Sequence, residues 1–249
     1  MTGIVRIKDG GTHGCKVAES VRGPAIVLIE PQLGENIGTA ARAMLNFELS
    51  DLRLVRPRAG WQNEKAIAAA SGAKGVLSEA RLFECTEEAI ADLHRVYAST
   101  GRSRDMTQQI LSPAHAAQVM RVGAVSGELS GVLFGPERSG LTNEDLALSD
   151  AVITVPANSY FKSLNLAMAV LLIGYEWFVH LDSIHDLDNL VMVGTRSATK
   201  SELQGFFDHL EGALDDCGFL RVQEYRWSKR GAPPHVREAR PNPGVRPGF

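Results

Sequence analysis

The chain repeatedly sets a short, unbroken apolar run ahead of a stretch with helical spacing, and this alternation restricts the fold more than any other feature. Ala25-Ile26-Val27-Leu28-Ile29 contains no polar residue and ends at Glu30-Pro31. Gly131-Val132-Leu133-Phe134 and Ala151-Val152-Ile153-Thr154-Val155 repeat the pattern. Such runs lack the in–out alternation of a half-solvated strand and suit strands covered on both faces. Leu52-Arg53-Leu54-Val55, stopped by Pro57, and Arg95 to Ser99 read as further strands, with a short one near Gly75-Val76-Leu77. Between them the period changes. Ile37, Ala40, Ala41, Met44 and Leu45 fall on one face of a helix that Asn36 is placed to cap. Helical spacing also covers Asn63 to Ser71, Cys85 to Leu93, a helix starting at Ser112-Pro113, and Thr142 to Leu148. A long apolar helix from Ser163 to His180 follows, with Ser163 as its expected N-cap. Strands alternating with helices predict an α/β domain with a mostly parallel sheet flanked by helices.

A chain of 249 residues, 44% hydrophobic and 22% charged, suits one large globular domain with a small appendage. Residues 1–22 read as a flexible N-terminal arm and 23–182 as the main domain. Residues 183–220 read as a helical extension, with one helix from Lys200 to Cys217. Residues 221–249 form a Pro/Gly/Arg-rich tail with seven basic and two acidic residues, while the whole chain carries a formal charge of −3. The tail fits either a solvated, disordered segment or an electrostatic arm for RNA phosphates. Cys15, Cys85 and Cys217 are widely spaced, and the seven histidines lack metal-ligand spacing. Neither a disulfide framework nor a metal site is expected. Reduced thiols, the lack of an apolar leader and the shortness of the Ser163–Tyr175 run point to a cytoplasmic protein.

Three clusters follow expected strands, where an open parallel sheet places its ligand site. In Asn36-Ile37-Gly38-Thr39-Ala40-Ala41-Arg42, the glycine permits close backbone approach and the arginine offers a planar fork suited to phosphate. In Phe134-Gly135-Pro136-Glu137-Arg138-Ser139-Gly140-Leu141, a tight turn carries a carboxylate able to orient other polar groups. In Val155-Pro156 through Lys162-Ser163-Leu164-Asn165, an amide stands at the start of an apolar helix and must find hydrogen bonds if buried. Taken singly, each also fits an ordinary turn or helix cap. The chain has no GxGxxG, GxxxxGK[ST], HExxH or GxSxG, so the common dinucleotide, P-loop, zincin and hydrolase sites are missing.

Together, in this order and spacing, the clusters resemble the three motifs of the SpoU (TrmH-like) RNA 2′-O-methyltransferases of the SPOUT superfamily. Ile29-Glu30-Pro31, Ala98-Ser99-Thr100-Gly101-Arg102-Ser103-Arg104, Ser163-Leu164-Asn165-Leu166-Ala167 and Phe206-Phe207-Asp208-His209-Leu210 … Cys217-Gly218-Phe219-Leu220 are similar to the TrmJ branch. That branch acts at tRNA anticodon-loop position 32. The resemblance implies a sheet whose C-terminal part forms a trefoil knot, and a homodimer with the active site at the subunit interface. It implies S-adenosylmethionine as cofactor, without a metal, and tRNA or another structured RNA as substrate. By position, the cofactor-binding residues are Ser99, Thr100, Gly101, Gly135, Glu137, Val155, Lys162, Ser163, Leu164 and Asn165, with Glu137 and Asn165 bracing the loops. Arg42, Asn36 and Ser163 are the implied catalytic group. Free arginine is a very poor base. Arg42 therefore either positions the ribose through a phosphate or assists proton removal once paired with one. The branch usually continues past Leu220 as a helical segment, and the Pro/Gly/Arg-rich tail departs from that pattern.

Overall fold

The computed structural model describes residues 21–58, 60–61, 63–101, 108–180 and 196–216. The expected arm over residues 1–20, the loop from Arg102 to Arg104, most of the link after Asp182, and the segment from Cys217 through the basic tail lie outside the described residues.

Seven strands form one sheet: β1 (Ala25–Ile29), β2 (Leu52–Val55), β3 (Arg81–Phe83), β4 (Arg95–Ser99), β5 (Gln109–Leu111), β6 (Ser130–Phe134) and β7 (Ala151–Ile153). Their spatial order is β3-β2-β1-β6-β4-β7-β5, and every pair is parallel. Leu28 lies between Leu54 and Phe134, and Ser99 between Phe134 and Ile153. Period-two geometry divides each central strand between two cores. Ile26 and Leu28 enter one cluster with α1 (Gly34–Asn46), α5 (Pro113–Val125) and α7 (Leu166–Val179). Val27 and Ile29 enter the other, with α4 (Thr86–Ile90) and α6 (Asn143–Ala147). Both faces of β1 are therefore buried, as its unbroken apolar run requires.

Arg53 is a buried charge inside the sheet. Its side chain is buried, bonded to Asp51 at 2.8 Å, to Asp92, and to the Ala89 carbonyl at 2.6 Å. Such a group is tolerable only when its donors are all met. Although burial alone would raise it, the Asp51 carboxyl stays below its ordinary range because Arg53 and Arg81 bond it.

Several local expectations need correction. Residues 75–77 belong to the short helix α3 (Lys74–Ser78), and the strand follows at β3. Gln109–Leu111, where no strand was expected, forms β5 at the sheet edge. Asn36 does not cap α1, because the helix starts at Gly34 after Leu33 with no side-chain cap. Ser163 does not cap α7; Asn165 does, its side chain accepting from Ala167 N at 2.9 Å. The helix over Asn63 to Ser71 is α2 (Glu64–Ala70), capped by Asn63 as its Lys65 contact shows. Beyond the sheet, α8 (Lys200–Asp216) is attached through its first turn: Lys200 N donates to Leu93 O, Ser201 N to Ala91 O, and Lys200 Nζ to Asp150.

Candidate active site

The carboxyl ends of β4, β6 and β7 turn into loops that line a cleft of about 230 Å³. This is the position an open parallel sheet offers to a ligand. Ser99, Thr100 and Gly101 supply the wall after β4; Gly135 and Glu137 supply the wall after β6. Val155 and the Lys162-Ser163-Leu164 stretch close the side after β7. Phe134, Leu166 and Ala169 add apolar surface.

Two glycines let the backbone come this close. A Cβ on Gly135 would lie 2.3 Å from Leu141 N, so the turn that returns over it tolerates no side chain. A Cβ on Gly101 would lie 3.0 Å from the Lys162 carbonyl, which brings the loops after β4 and β7 together. Thr100 N donates to Ile153 O at 3.1 Å, and Thr154 Oγ1 donates to Thr100 O at 3.2 Å, fixing the same junction. The walls of the cleft are small, backbone-rich and partly apolar.

The braces start at Glu137 in the cleft wall. Glu137 accepts from Gln32 N at 2.9 Å, Leu33 N at 3.3 Å and Asn36 Nδ2 at 2.7 Å. Asn165 Nδ2 in turn donates to Asn36 Oδ1 at 3.0 Å. One carboxylate and two amides thus join the loop after β1, the turn after β6 and the start of α7. The structure brings all three sequence clusters into one constellation. Asn36 is its central member, using its carbonyl and its amino group at once, and is buried on α1.

Arg42 lies elsewhere. It is exposed on α1, is not part of the cleft wall, and makes no hydrogen bond or ion pair with any described residue. Gly38, one turn earlier, packs against α2: a Cβ there would lie 2.1 Å from the Ala66 carbonyl. Its close approach therefore serves helix packing. Sequence reasoning assigned no role to Gln32 and Leu33, whose backbone N–H groups face Glu137; backbone donors leave no signature in residue type. Among the described residues, no group of three or more His, Cys, Asp or Glu is placed to hold a metal ion. No helix among them is long and apolar enough to cross a membrane.

Known proteins are similar to this chain over most of its length. Residues 23–175 match the model of the SpoU rRNA Methylase family. A tRNA (cytidine/uridine/adenosine-2′-O-)-methyltransferase TrmJ of Pseudomonas aeruginosa is 34% identical over 81% of this chain and 80% of its own length. The crystal structure of TrmJ from Z. mobilis ZM4 shares 47% identity, covers 81% of this chain and 84% of that one, and superposes with a TM-score of 0.67. A structure described as giving insight into 2-OH methylation of C/U34 on tRNA shares 28% identity over 64% of this chain and 96% of that one, with a TM-score of 0.52. With a parallel sheet, three motif loops joined through Glu137 and relatives over most of its length, the chain belongs to the SpoU methylase family of RNA 2′-O-methyltransferases, in its TrmJ-type branch.

Proposed function

We propose that the chain methylates the ribose 2′-oxygen of nucleotide 32 in the tRNA anticodon loop, with S-adenosylmethionine as methyl donor. The observation that carries this reading is the Glu137–Asn36–Asn165 joint, which ties the three motif segments together beside one cleft. The named substrates of the TrmJ relatives support tRNA. Bound in the cleft, the cofactor supplies a methyl group already activated on a sulfonium, so the protein's task is alignment and proton removal. Ser99, Thr100, Gly101, Gly135, Val155, Lys162, Ser163 and Leu164 would form its pocket, with Glu137 and Asn165 bracing it. Ser163, part of the cleft wall, would hydrogen-bond the ribose through its hydroxyl.

Arg42, exposed and without a partner among the described residues, suits an RNA phosphate. Its minimum role is to place the ribose; a phosphate-paired Arg42 that helps take the proton is the stronger form. Because Arg42 does not line its own cleft, the proposal includes a homodimer in which Arg42 of the partner subunit completes the site. α7 offers the surface: Met168, Leu171, Tyr175, Phe178 and Val179 are exposed along one side of an otherwise packed apolar helix. The reading also includes a trefoil-knotted C-terminal part, a methyltransferase domain over residues 23–182, a helical extension over 183–220, a cytoplasmic location and no requirement for a metal.

A second reading keeps the chemistry and moves it to position 34, as in the C/U34 structure's description. Methyl transfer to tRNA carrying a 2′-deoxyribose at one of these positions separates the two. Loss of labelling with 2′-deoxy-32 and retention with 2′-deoxy-34 is the expected result. The converse supports the second reading, and labelling that survives both substitutions overturns both.

A further inference from the structure

The loop before α7 exposes two consecutive aromatic rings immediately ahead of the cleft residue Lys162. Tyr160 is 96% exposed and Phe161 75%. Rings of this size gain strongly from contact, so an exposed pair marks a surface built to meet something. The backbone beneath them is held: Asn158 Oδ1 accepts from Tyr160 N at 3.0 Å, and Asn158 O accepts from Phe161 N at 2.9 Å. The residues that follow, Lys162 to Leu164, form part of the cleft wall. Their backbone therefore runs directly into the cleft wall, next in sequence to an exposed lysine.

We infer that Tyr160 and Phe161 are a stacking platform for unpaired nucleobases of the RNA next to the target nucleotide, an inference that rests on the RNA methyltransferase reading above. Flat faces beside a cation match single-stranded nucleic acid, whose bases stack while its phosphates meet the charge. The preceding residues in the turn are Ala157, Asn158 and Ser159. None of them carries a large aliphatic side chain that would extend the rings into an apolar protein interface. Stacking accepts any base, so the platform would hold the loop in place and leave base choice to other contacts. The ring pair is also clear of the hydrogen-bonded braces, since neither residue bonds Glu137, Asn36 or Asn165 among the described contacts.

The test compares the full-length protein with Tyr160→Ala, Phe161→Ala, the double alanine variant, and the aromatic exchanges Tyr160→Phe and Phe161→Tyr. Affinity for unmodified tRNA, affinity for S-adenosylmethionine, methyl-transfer KM and kcat, and sedimentation are measured for each. Each alanine is expected to weaken tRNA binding by about 5- to 150-fold, the usual worth of one stacked base. The loss should appear in KM, with cofactor affinity and oligomeric state unchanged, and the aromatic exchanges should bind as the native protein does. Native-like tRNA affinity in the double variant overturns the inference. So does a loss that comes with a changed oligomeric state, which would make the rings a protein interface, or a loss reproduced by the aromatic exchanges. If the native protein methylates no RNA, the underlying reading fails; if it does and the rings prove dispensable, only the platform fails.

Discussion

Glu137 illustrates how one side chain positions a site without touching the reaction. Its carboxylate meets only neutral donors, two from the backbone of the loop after β1 and one from Asn36. Glu137→Ala would leave these donors facing a gap, and hydrogen bonds to a charged group are each worth about 1.5–3 kcal/mol. Chemical denaturation should show a loss of roughly 2–4 kcal/mol for the alanine variant. Glu137→Gln keeps a carbonyl for one donor but turns an amino group toward another, so it should lose less stability and still weaken cofactor binding. Gly38 gives a second residue-scale prediction. Its absent Cβ lets the backbones of α1 and α2 touch, and Gly38→Ala would push against the Ala66 carbonyl and Ala70 N, at 2.1 and 2.9 Å. Overpacking of rigid backbone typically costs about 1–3 kcal/mol, so a drop of at least that size is expected in the same measurement. The residue types in these motifs were readable in the sequence, and Glu137 as a brace was among the expectations. What each side chain bonds was less so. Asn36 looked like a cap because amides favour caps, but the chain enters α1 two residues earlier and frees it to bridge Glu137 and Asn165. The cap of α7 passed from Ser163 to Asn165 because Ser163 is drawn into the cleft wall.

At the scale of elements, legibility followed burial. β1, β2, β4, β6 and β7 are covered and carry apolar runs, so their places were apparent. β3 and β5 lie at the two edges of the sheet, and most of their residues are not buried. With little to bury, they leave no run to read, and the Val76-Leu77 pair imitated one while packing as a helical turn. α8 is held differently from every other helix: none of its residues is buried, and its first turn carries the attachment. Arg196 bonds Glu202, and Glu202 accepts from Thr199 N at 2.9 Å while its own N–H donates to Thr199 Oγ1 at 3.3 Å. The Arg196 contact, then the Thr199 backbone, pull the Glu202 carboxyl down from 4.5 to about 2. A depressed carboxyl contributes its stability above its unfolded pKa and loses it as pH falls through the folded one. The first turn of α8 should therefore be fully capped above about pH 5 and loosen progressively toward pH 2. Amide hydrogen exchange at Leu203 and Gln204, compared with Glu202→Gln, should show this acid-dependent opening in the native chain and little pH dependence in the variant.

At the scale of the whole molecule, the outer side of α7 is an exposed apolar stripe. Met168, Leu171 and Tyr175 project from it, and Phe47 meets Tyr175 and Phe178 at ring separations of 5.9 and 6.0 Å. Isolated apolar residues on a surface need no account, but a contiguous stripe on one helix does. A second copy of the chain would cover it and bring an otherwise remote Arg42 to a cleft. Leu171→Glu should then yield a monomer in sedimentation and abolish methyl transfer while leaving the fold intact. A monomeric native protein that is fully active would remove the shared-site arrangement. The apolar character of this helix was plain from the sequence, but its division into a packed side and an exposed side depended on where α1 and α5 lie against it. The α/β class was legible for the reason that strands covered on both faces must be apolar throughout. The order in which those strands assemble depends on contacts between distant segments, and no local pattern records it.

The central proposal is a division of labour: the braced cleft would hold the methyl donor, and Arg42 would deliver the ribose to it. Methyl transfer from labelled S-adenosylmethionine to unmodified tRNA, measured for the native chain and for Arg42→Ala, tests this most directly when donor binding is followed in the same samples. Arg42 is exposed and bonds no described residue, so its loss should leave folding and donor affinity unchanged. The account predicts transfer by the native chain and a loss of at least about a hundredfold in Arg42→Ala, in keeping with what positioning and proton transfer contribute. Transfer by Arg42→Ala at the native rate, or loss of donor binding along with activity, would contradict it.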